Sequence, residues 1–153
     1  MKIQWKQLLI CLAIPLGIGG LAALLAGGMG GYGNMVKPPL SPPGWVFPIV
    51  WTILYLLMGY ASYRIYRSKD LGRKRALQLY AIQLALNFVW PLVFFGGQWY
   101  LVAFFVLIVL WGFILLTIAA FSKIDQVAAD LLLPYLLWVT FAGYLNLGVY
   151  LLN

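Results

Sequence analysis

Polar and aromatic residues recur at helical spacing inside an otherwise apolar stretch of the chain. They occupy positions i, i+4, i+7 and i+11, which share one helical face: Gln83, Asn87, Trp90 and Phe94. Pro91 has no amide hydrogen, so the carbonyl of Asn87 loses its helical partner beside an amide side chain. Within a membrane, such a stripe either bonds to neighbouring helices or lines a cavity.

Two further segments carry similar stripes. One comprises Trp51, Tyr55, Met58 and Ser62, and the other, after Pro134, comprises Tyr135, Trp138, Ala142 and Asn146. Helix packing would explain each stripe alone. Three stripes together, with two prolines that free carbonyl groups, predict a cavity lined by indoles, phenols and amides.

Residues for hydrolytic, phosphoryl or metal chemistry are scarce. The chain has no histidine, a single cysteine (Cys11) and three acids, Asp70, Asp125 and Asp130. Ser122 and Asp125 resemble a helix-capping pair, so we expect the acids to stabilise helix ends. We therefore predict no metal site and no required cofactor.

Composition places the whole chain in a membrane. Of its 153 residues, 65% are hydrophobic and 8% are charged, whereas soluble domains average roughly 25% charged. The sequence predicts an all-α integral membrane protein, a bundle of five transmembrane helices forming one domain over residues 1–153. The predicted spans cover residues 8–28, 45–66, 76–96, 99–121 and 127–152, and the first is too long for a signal peptide.

The basic residues predict an orientation. Nine of the ten Lys and Arg residues fall on one side of the five spans, and Lys37 alone falls on the other. By the positive-inside rule, the N-terminus is expected in the cytoplasm and the C-terminus outside the cell membrane. The basic residues are not interleaved with stacking aromatics on a soluble surface, so we expect no nucleic-acid partner.

Residues 29–44 form a proline-rich loop after the first span. Prolines 38, 39, 42 and 43 restrict themselves and the residues before them, which predicts a stiff lid over the cavity. Ser41 and Pro42 are predicted to be the N-cap and first position of the second helix. Lys37 would be the one lid charge near the mouth.

Three stretches resemble the TspO family, the bacterial tryptophan-rich sensory proteins related to the mitochondrial translocator protein, or peripheral benzodiazepine receptor. These stretches are "KPPLSPPGWVFPIVWTILYLLMGYASY", "QLALNFVWPLVFFG" and "LLPYLLWVTFAGYLN". The resemblance covers residues 32–153 and implies a five-helix bundle, often a homodimer, that binds porphyrins and in some members sterols. The ligand would lie in a cavity capped by the loop after the first helix.

The resemblance also implies which residues bind the ligand. Positions that match the family's cavity and lid are Tyr32, Pro42, Trp51, Asn87, Trp90 and Trp138, and the stripes add Tyr55, Phe94 and Ala142. The chain departs from the family at Gly31 and Leu40, where lid aromatics are common. It also has no basic residue after Tyr150, so a sterol is not the expected ligand.

Three functions remain open from the sequence. The first is a membrane-embedded sensor of tetrapyrroles such as protoporphyrin or haem, with the lipid bilayer and a second copy of the chain as partners. The second is an enzyme that degrades protoporphyrin in light, with Trp51 and Trp138 as the residues that exchange electrons. The third is a carrier of porphyrin-like or other hydrophobic ligands.

Overall fold

The computed structural model describes residues 2–27 and 32–153, and these residues form helices without any strand. The helices are α1 (Trp5–Leu25), α2 (Val46–Arg67), α3 (Arg73–Pro91), α4 (Tyr100–Ser122), α5 (Gln126–Leu131) and α6 (Leu133–Leu152). Helices α5 and α6 form one span, which gives five helical spans long and apolar enough to cross a membrane. The predicted all-α bundle of five membrane-spanning helices is therefore confirmed.

The helices pack in a ring whose order differs from their order in the chain. Helix α1 packs against α2 and α3, α4 packs against α3, α5 and α6, and α2 contacts α5. Small residues allow the closest approach: a Cβ atom on Gly59 of α2 would lie 2.7 Å from the carbonyl oxygen of Cys11 in α1. The ring order brings α2, α3 and α6, which carry the three stripes, around a common interior.

The span boundaries differ from the predicted ones by a few residues. Helix α3 begins at Arg73 rather than at residue 76, and α1 covers Trp5–Leu25; residues 28–31, where the first span and the lid were predicted to meet, lie outside the described residues. The fifth span breaks at Leu132, because Pro134 has no amide hydrogen for the carbonyl of Asp130.

One of the two residues of the predicted capping pair caps a helix. The Asp125 carboxylate accepts hydrogen bonds from the backbone amides of Val127 (3.0 Å) and Ala128 (3.3 Å) at the start of α5. The Ser122 hydroxyl instead donates to the carbonyl of Ala119 at 2.7 Å, within its own helix. The prediction was therefore right for Asp125 and wrong for Ser122.

The second span was predicted to start at residue 45, one residue before the observed start, but the prediction of Ser41 and Pro42 as its N-cap and first position was wrong. Helix α2 begins at Val46 with Trp45 as its N-cap, and the Ser41 hydroxyl donates to the carbonyl of Pro38 at 2.7 Å. Pro43 disfavours the helical conformation at Pro42, so a helix cannot begin there. Pro48 fits the first turn of α2, where an amide hydrogen would have no helical partner.

Beyond Pro91, the third span continues as a π-helix over Leu92–Gly96, which the sequence analysis did not anticipate. The amide of Gly97 donates to the carbonyl of Leu92 at 2.9 Å, five residues earlier. This wider turn places Phe94 and Phe95 in contact, with ring centroids 4.8 Å apart, and both rings pack against Trp90.

Candidate functional site

A cavity of about 510 Å³ lies between α1, α2 and α3. Its walls are mainly aromatic and small aliphatic residues: Leu16, Gly19, Gly20, Ala23, Phe47, Trp51, Tyr55, Asn87, Trp90 and Phe95. The volume falls within the roughly 300–1,000 Å³ typical of small-molecule sites, which are likewise apolar with a few polar groups. The cavity can therefore hold a drug-sized apolar molecule.

Four of the predicted binding residues meet in this cavity. They are Trp51, Tyr55, Asn87 and Trp90. Trp51 stacks on Tyr55 with ring centroids 5.5 Å apart, and its edge meets Tyr135 at 6.1 Å. These contacts fix the indole plane of Trp51, so a flat ligand would meet a rigid aromatic wall.

Helix α1 shapes the opposite wall because it carries small residues there. A Cβ atom on Gly19 would overlap the ring of Tyr55, so only glycine lets that ring lie against α1. Gly20 and Ala23, which also line the cavity, are exposed on the bundle surface, as is Thr52 of α2. The cavity therefore opens sideways between α1 and α2, at the level of the spans.

A chain of hydrogen bonds closes one side of the cavity. The Tyr55 hydroxyl donates to Asn87 Oδ1 at 2.7 Å, and Asn87 Nδ2 donates to the Tyr135 hydroxyl at 2.8 Å. The Tyr135 hydroxyl in turn donates to Gln83 Oε1 at 2.7 Å. Both explanations of the stripe that contains Asn87, bonding to neighbouring helices and lining a cavity, therefore hold for this residue. Asn87 forms hydrogen bonds with α2 and α6, and it also lines the cavity.

Trp90 has a similar double role. Its indole Nε1 donates to Asn146 Oδ1 of α6 at 2.9 Å, and Asn146 Nδ2 donates to the carbonyl of Tyr100 at 2.7 Å. The indole is thereby locked in place while one side of it faces the cavity. Because these polar groups are paired within the protein, a ligand would contact the wall largely through apolar surface.

Four other predicted residues surround a second, much smaller void beneath the lid loop, which comprises residues 32–44 of the described chain. These residues are Tyr32, Lys37, Phe94 and Ala142, and the void is about 20 Å³. Phe47, Trp90 and Phe95 line both spaces and so form the partition between them. The predicted site is thus divided into two compartments.

Trp138 and Pro42 line neither compartment. Trp138 packs edge-on against Phe47, with centroids 5.7 Å apart, and against Phe141 at 5.5 Å. Its indole Nε1 is buried without a hydrogen-bond partner among the described atoms. Pro42 contributes its carbonyl, which accepts a 2.6 Å hydrogen bond from the Tyr32 hydroxyl. Burial raises the pKa of Tyr32, which keeps this donor protonated.

Lys37 is engaged within the lid loop rather than free at a mouth. Its Nζ donates to the carbonyl of Tyr32 at 2.9 Å and lies 4.6 Å from the centroid of the Tyr32 ring. The ammonium group therefore ties the start of the lid loop to its middle.

Helix α6 fastens the lid loop at three points, which the sequence analysis missed. The Tyr144 hydroxyl donates to the carbonyl of Pro39 at 2.6 Å. The side-chain amide of Asn153 forms hydrogen bonds with the backbone of Val36. The Pro38 ring occupies the space beside Gly148 in which a Cβ atom would lie. The signal was available in part, because Tyr144 and Gly148 are four residues apart on one face of α6.

Within residues 2–27 and 32–153, no three His, Cys, Asp or Glu side chains come together as metal ligands. The fold and the cavity define a helical membrane protein with a laterally open cavity lined by aromatic side chains.

Comparison with known proteins gives the family. The TspO/MBR family model matches residues 8–152. The chain is 43% identical to the tryptophan-rich protein TspO of Chlorobaculum tepidum over 127 residues, which cover 80% of this chain and 78% of that protein. It is 43% identical to the tryptophan-rich sensory protein of Cereibacter sphaeroides over 122 residues, covering 80% and 76%. It is 40% identical to the translocator protein of Ovis aries over 135 residues, covering 86% and 80%.

This chain belongs to the TspO/MBR family, as its motifs predicted, and it is a multi-pass membrane protein.

Proposed function

We propose that the protein is a membrane-embedded binding and sensory protein for tetrapyrroles of the protoporphyrin type. The observation that carries the proposal is the cavity between α1, α2 and α3, in which the indoles of Trp51 and Trp90 form rigid walls. A porphyrin is a flat, apolar macrocycle, and such rings gain energy by stacking on aromatic side chains. The relative from Cereibacter sphaeroides is named a sensory protein, which supports the regulatory part of the proposal.

The test is a titration of the detergent-solubilised protein with metal-free protoporphyrin, followed by the absorbance of the porphyrin. Removing a buried indole from a binding site typically costs 2 kcal/mol or more, so Trp51→Ala should weaken binding by about thirtyfold. Trp111→Ala is the matched control, because Trp111 is partly exposed and its Nε1 bonds Thr140, away from the cavity. An unchanged affinity in a folded Trp51→Ala variant would rule out this site.

Light-dependent degradation of the bound porphyrin is a second candidate function. It is favoured by the stacking of Trp51 on Tyr55, since both side chains can donate an electron to a porphyrin excited by light, and dissolved dioxygen would be the oxidant that opens the ring. Loss of porphyrin absorbance under illumination, but not in darkness, supports the enzyme, whereas transport into protein-containing vesicles supports a carrier.

We also propose that the protein lies in the cell membrane with its N-terminus in the cytoplasm, and that it forms a homodimer. The charge distribution supports the orientation, because nine of the ten basic residues lie on one side of the spans. In a Cys11→Ser background, Ser68→Cys should be labelled from the cytoplasm and Asn34→Cys from outside. Labelling of both positions from one side would refute the orientation, and a monomeric mass in detergent and in bilayers would refute the dimer.

A further inference from the structure

One end of the bundle carries an excess of positive charge. Basic residues at this end, called here the basic end, are Lys2, Lys6, Arg64, Arg67, Lys69, Arg73, Lys74, Arg75 and Lys123. They belong to the start of α1, the end of α2, the start of α3 and the turn after α4. The three acids of the chain lie at the same end, so basic residues outnumber acidic ones by nine to three.

The three acids already have partners inside the protein. Asp125 pairs with Arg64 at 2.8 Å, and this is the ion pair found among residues 2–27 and 32–153. Asp70 accepts from the amide of Gly72 at 2.7 Å within its own loop, and Asp130 accepts from Gln126 at 2.8 Å. With nine basic and three acidic residues, the basic end carries six positive charges that no acid of the chain balances.

Arg67 contacts a neighbouring helix but, unlike Arg64, has no acid as a partner among the described residues. Its Nη1 donates to Gln7 Oε1 of α1 over a long 3.4 Å, and its Nε is buried without a hydrogen-bond partner among the described atoms. The nearby bond from the Gln4 amide to the Tyr63 hydroxyl, at 2.8 Å, holds the start of α1 against α2. Arg67 as a whole is half-buried, and it has no acid partner among the described residues, so the exposed part of its guanidinium can pair with a phosphate group at the surface.

Apolar residues at the basic end indicate where this phosphate would come from. Trp5, beside Lys6, is 65% exposed, and Leu71, in the loop between α2 and α3, is fully exposed at 101%. Arg73 orders that loop by donating to the carbonyl of Tyr66 at 2.9 Å. Exposed tryptophan and leucine beside basic residues are typical of the membrane interface, where lipid phosphates lie.

We propose that the basic end binds the headgroups of anionic phospholipids, with the Arg67 guanidinium beside Gln7 as the phosphate-binding centre. Clusters of basic residues next to a membrane span attract anionic lipids, and each charge adds to the attraction. This site is separate from the aromatic cavity, so it does not depend on the function proposed for that cavity.

The test measures thermal unfolding of the full chain in a neutral detergent, with added phosphatidylglycerol, phosphatidylcholine or inorganic phosphate. Saturating phosphatidylglycerol should raise the midpoint by about 5 °C, because a ligand that binds only the folded state stabilises it. Phosphatidylcholine and inorganic phosphate should give less than half of that shift. An equal shift with phosphatidylcholine overturns the charge requirement, and an equal shift with phosphate alone overturns the lipid source.

Variants of Arg67 and Arg75 test whether Arg67 is the phosphate-binding centre. Arg67→Gln should remove at least half of the phosphatidylglycerol shift, whereas Arg75→Gln, which removes the same charge from an exposed position of α3, should retain most of it. Arg67→Lys keeps the positive charge but not the planar guanidinium group, so it should lose an intermediate part of the phosphatidylglycerol shift. This variant also provides a test if Arg67→Gln does not fold. Equal losses in the Arg67 and Arg75 variants would overturn Arg67 as the centre.

Discussion

The side-chain amide of Asn153 bonds both backbone groups of Val36. Asn153 Oδ1 accepts from the Val36 amide at 3.3 Å, and Asn153 Nδ2 donates to the Val36 carbonyl at 2.8 Å. Nδ2 also donates to the carbonyl of Val149, so the amide is anchored to the end of α6. A single side chain therefore fixes the lid loop to the helix through hydrogen bonds that mimic a strand pairing.

Removing that amide should loosen the lid loop without unfolding the bundle. Two partly exposed hydrogen bonds contribute about 1–2 kcal/mol together, so Asn153→Ala should speed hydrogen exchange at the Val36 amide by about tenfold. Asn34→Ala, which changes an exposed amide of the same loop, is the control. Unchanged exchange at Val36 in Asn153→Ala would mean that the lid loop is held there by its prolines and its other contacts with α6, and not by Asn153.

The contact between Pro38 and Gly148 predicts a steric effect. A Cβ atom on Gly148 would overlap the Pro38 ring, so Gly148→Ala should displace the lid loop and lower the stability by about 1–3 kcal/mol. At Gly143, one turn earlier on α6, a Cβ atom would lie 3.9 Å from its nearest neighbour, Leu107. Gly143→Ala should therefore be neutral or stabilising by up to about 1 kcal/mol. Thermal unfolding in detergent compares the two, and equal effects would contradict the packing argument.

The Arg64–Asp125 pair predicts a dependence of stability on pH. Burial tends to raise the pKa of Asp125, but hydrogen bonds from Arg64 and from the start of α5 outweigh it and hold the pKa below its usual 3.8. A lowered pKa in the folded state means that the stabilisation is complete above pH 3.8 and is lost as the pH falls through the folded value.

Asp125→Asn should therefore cost about 1 kcal/mol at pH 7, since asparagine still caps α5 but cannot pair with Arg64. The difference in unfolding midpoint between Asp125→Asn and the unsubstituted chain should shrink as the pH is lowered below 3.8. Asp130→Asn, at an exposed position of α5, leaves the Arg64–Asp125 pair intact and is the matched control. A difference for Asp125→Asn that is the same at pH 7 and pH 3 would contradict the ion-pair account.

Asn87 should matter for stability as well as for the cavity. Asn87→Leu leaves the hydroxyls of Tyr55 and Tyr135 without their shared partner, at a cost of about 1–2 kcal/mol in a membrane bundle. In the Tyr55→Phe, Tyr135→Phe background, the same substitution should cost at least about 1 kcal/mol less. A double-mutant cycle of unfolding free energies measures this coupling, and full additivity would show that the chain of hydrogen bonds is not cooperative.

The sequence was sufficient to predict the membrane spans and the residues of the third span that face the interior of the bundle. Gln83, Asn87, Trp90 and Phe94 are all buried, because the helical repeat places them on one side whatever the details of packing. The division of the site into two compartments could not be predicted. It depends on the π-helix after Pro91, which brings Phe95 beside Trp90, and on how α1 packs against α2.

Trp138 shows that the helical face on which a residue lies does not by itself decide whether that residue lines the cavity. Its position on α6 is on the stripe of Tyr135 and Ala142, yet the edge of Phe47 stands between its indole and the larger cavity. The position of Phe47 on α2 relative to α6 decides this, and no local pattern in the sequence encodes that position.

The sideways opening between α1 and α2 has a consequence for how occupancy would be measured. The exposed lining residues Gly20, Ala23 and Thr52 belong to the spans, so we expect the cavity to exchange molecules with the hydrocarbon phase rather than with water. For such a site, the concentration that sets saturation is the number of ligand molecules per lipid. Dilution of an apolar ligand with empty vesicles should empty the cavity even when the total amount of ligand and the aqueous volume stay constant.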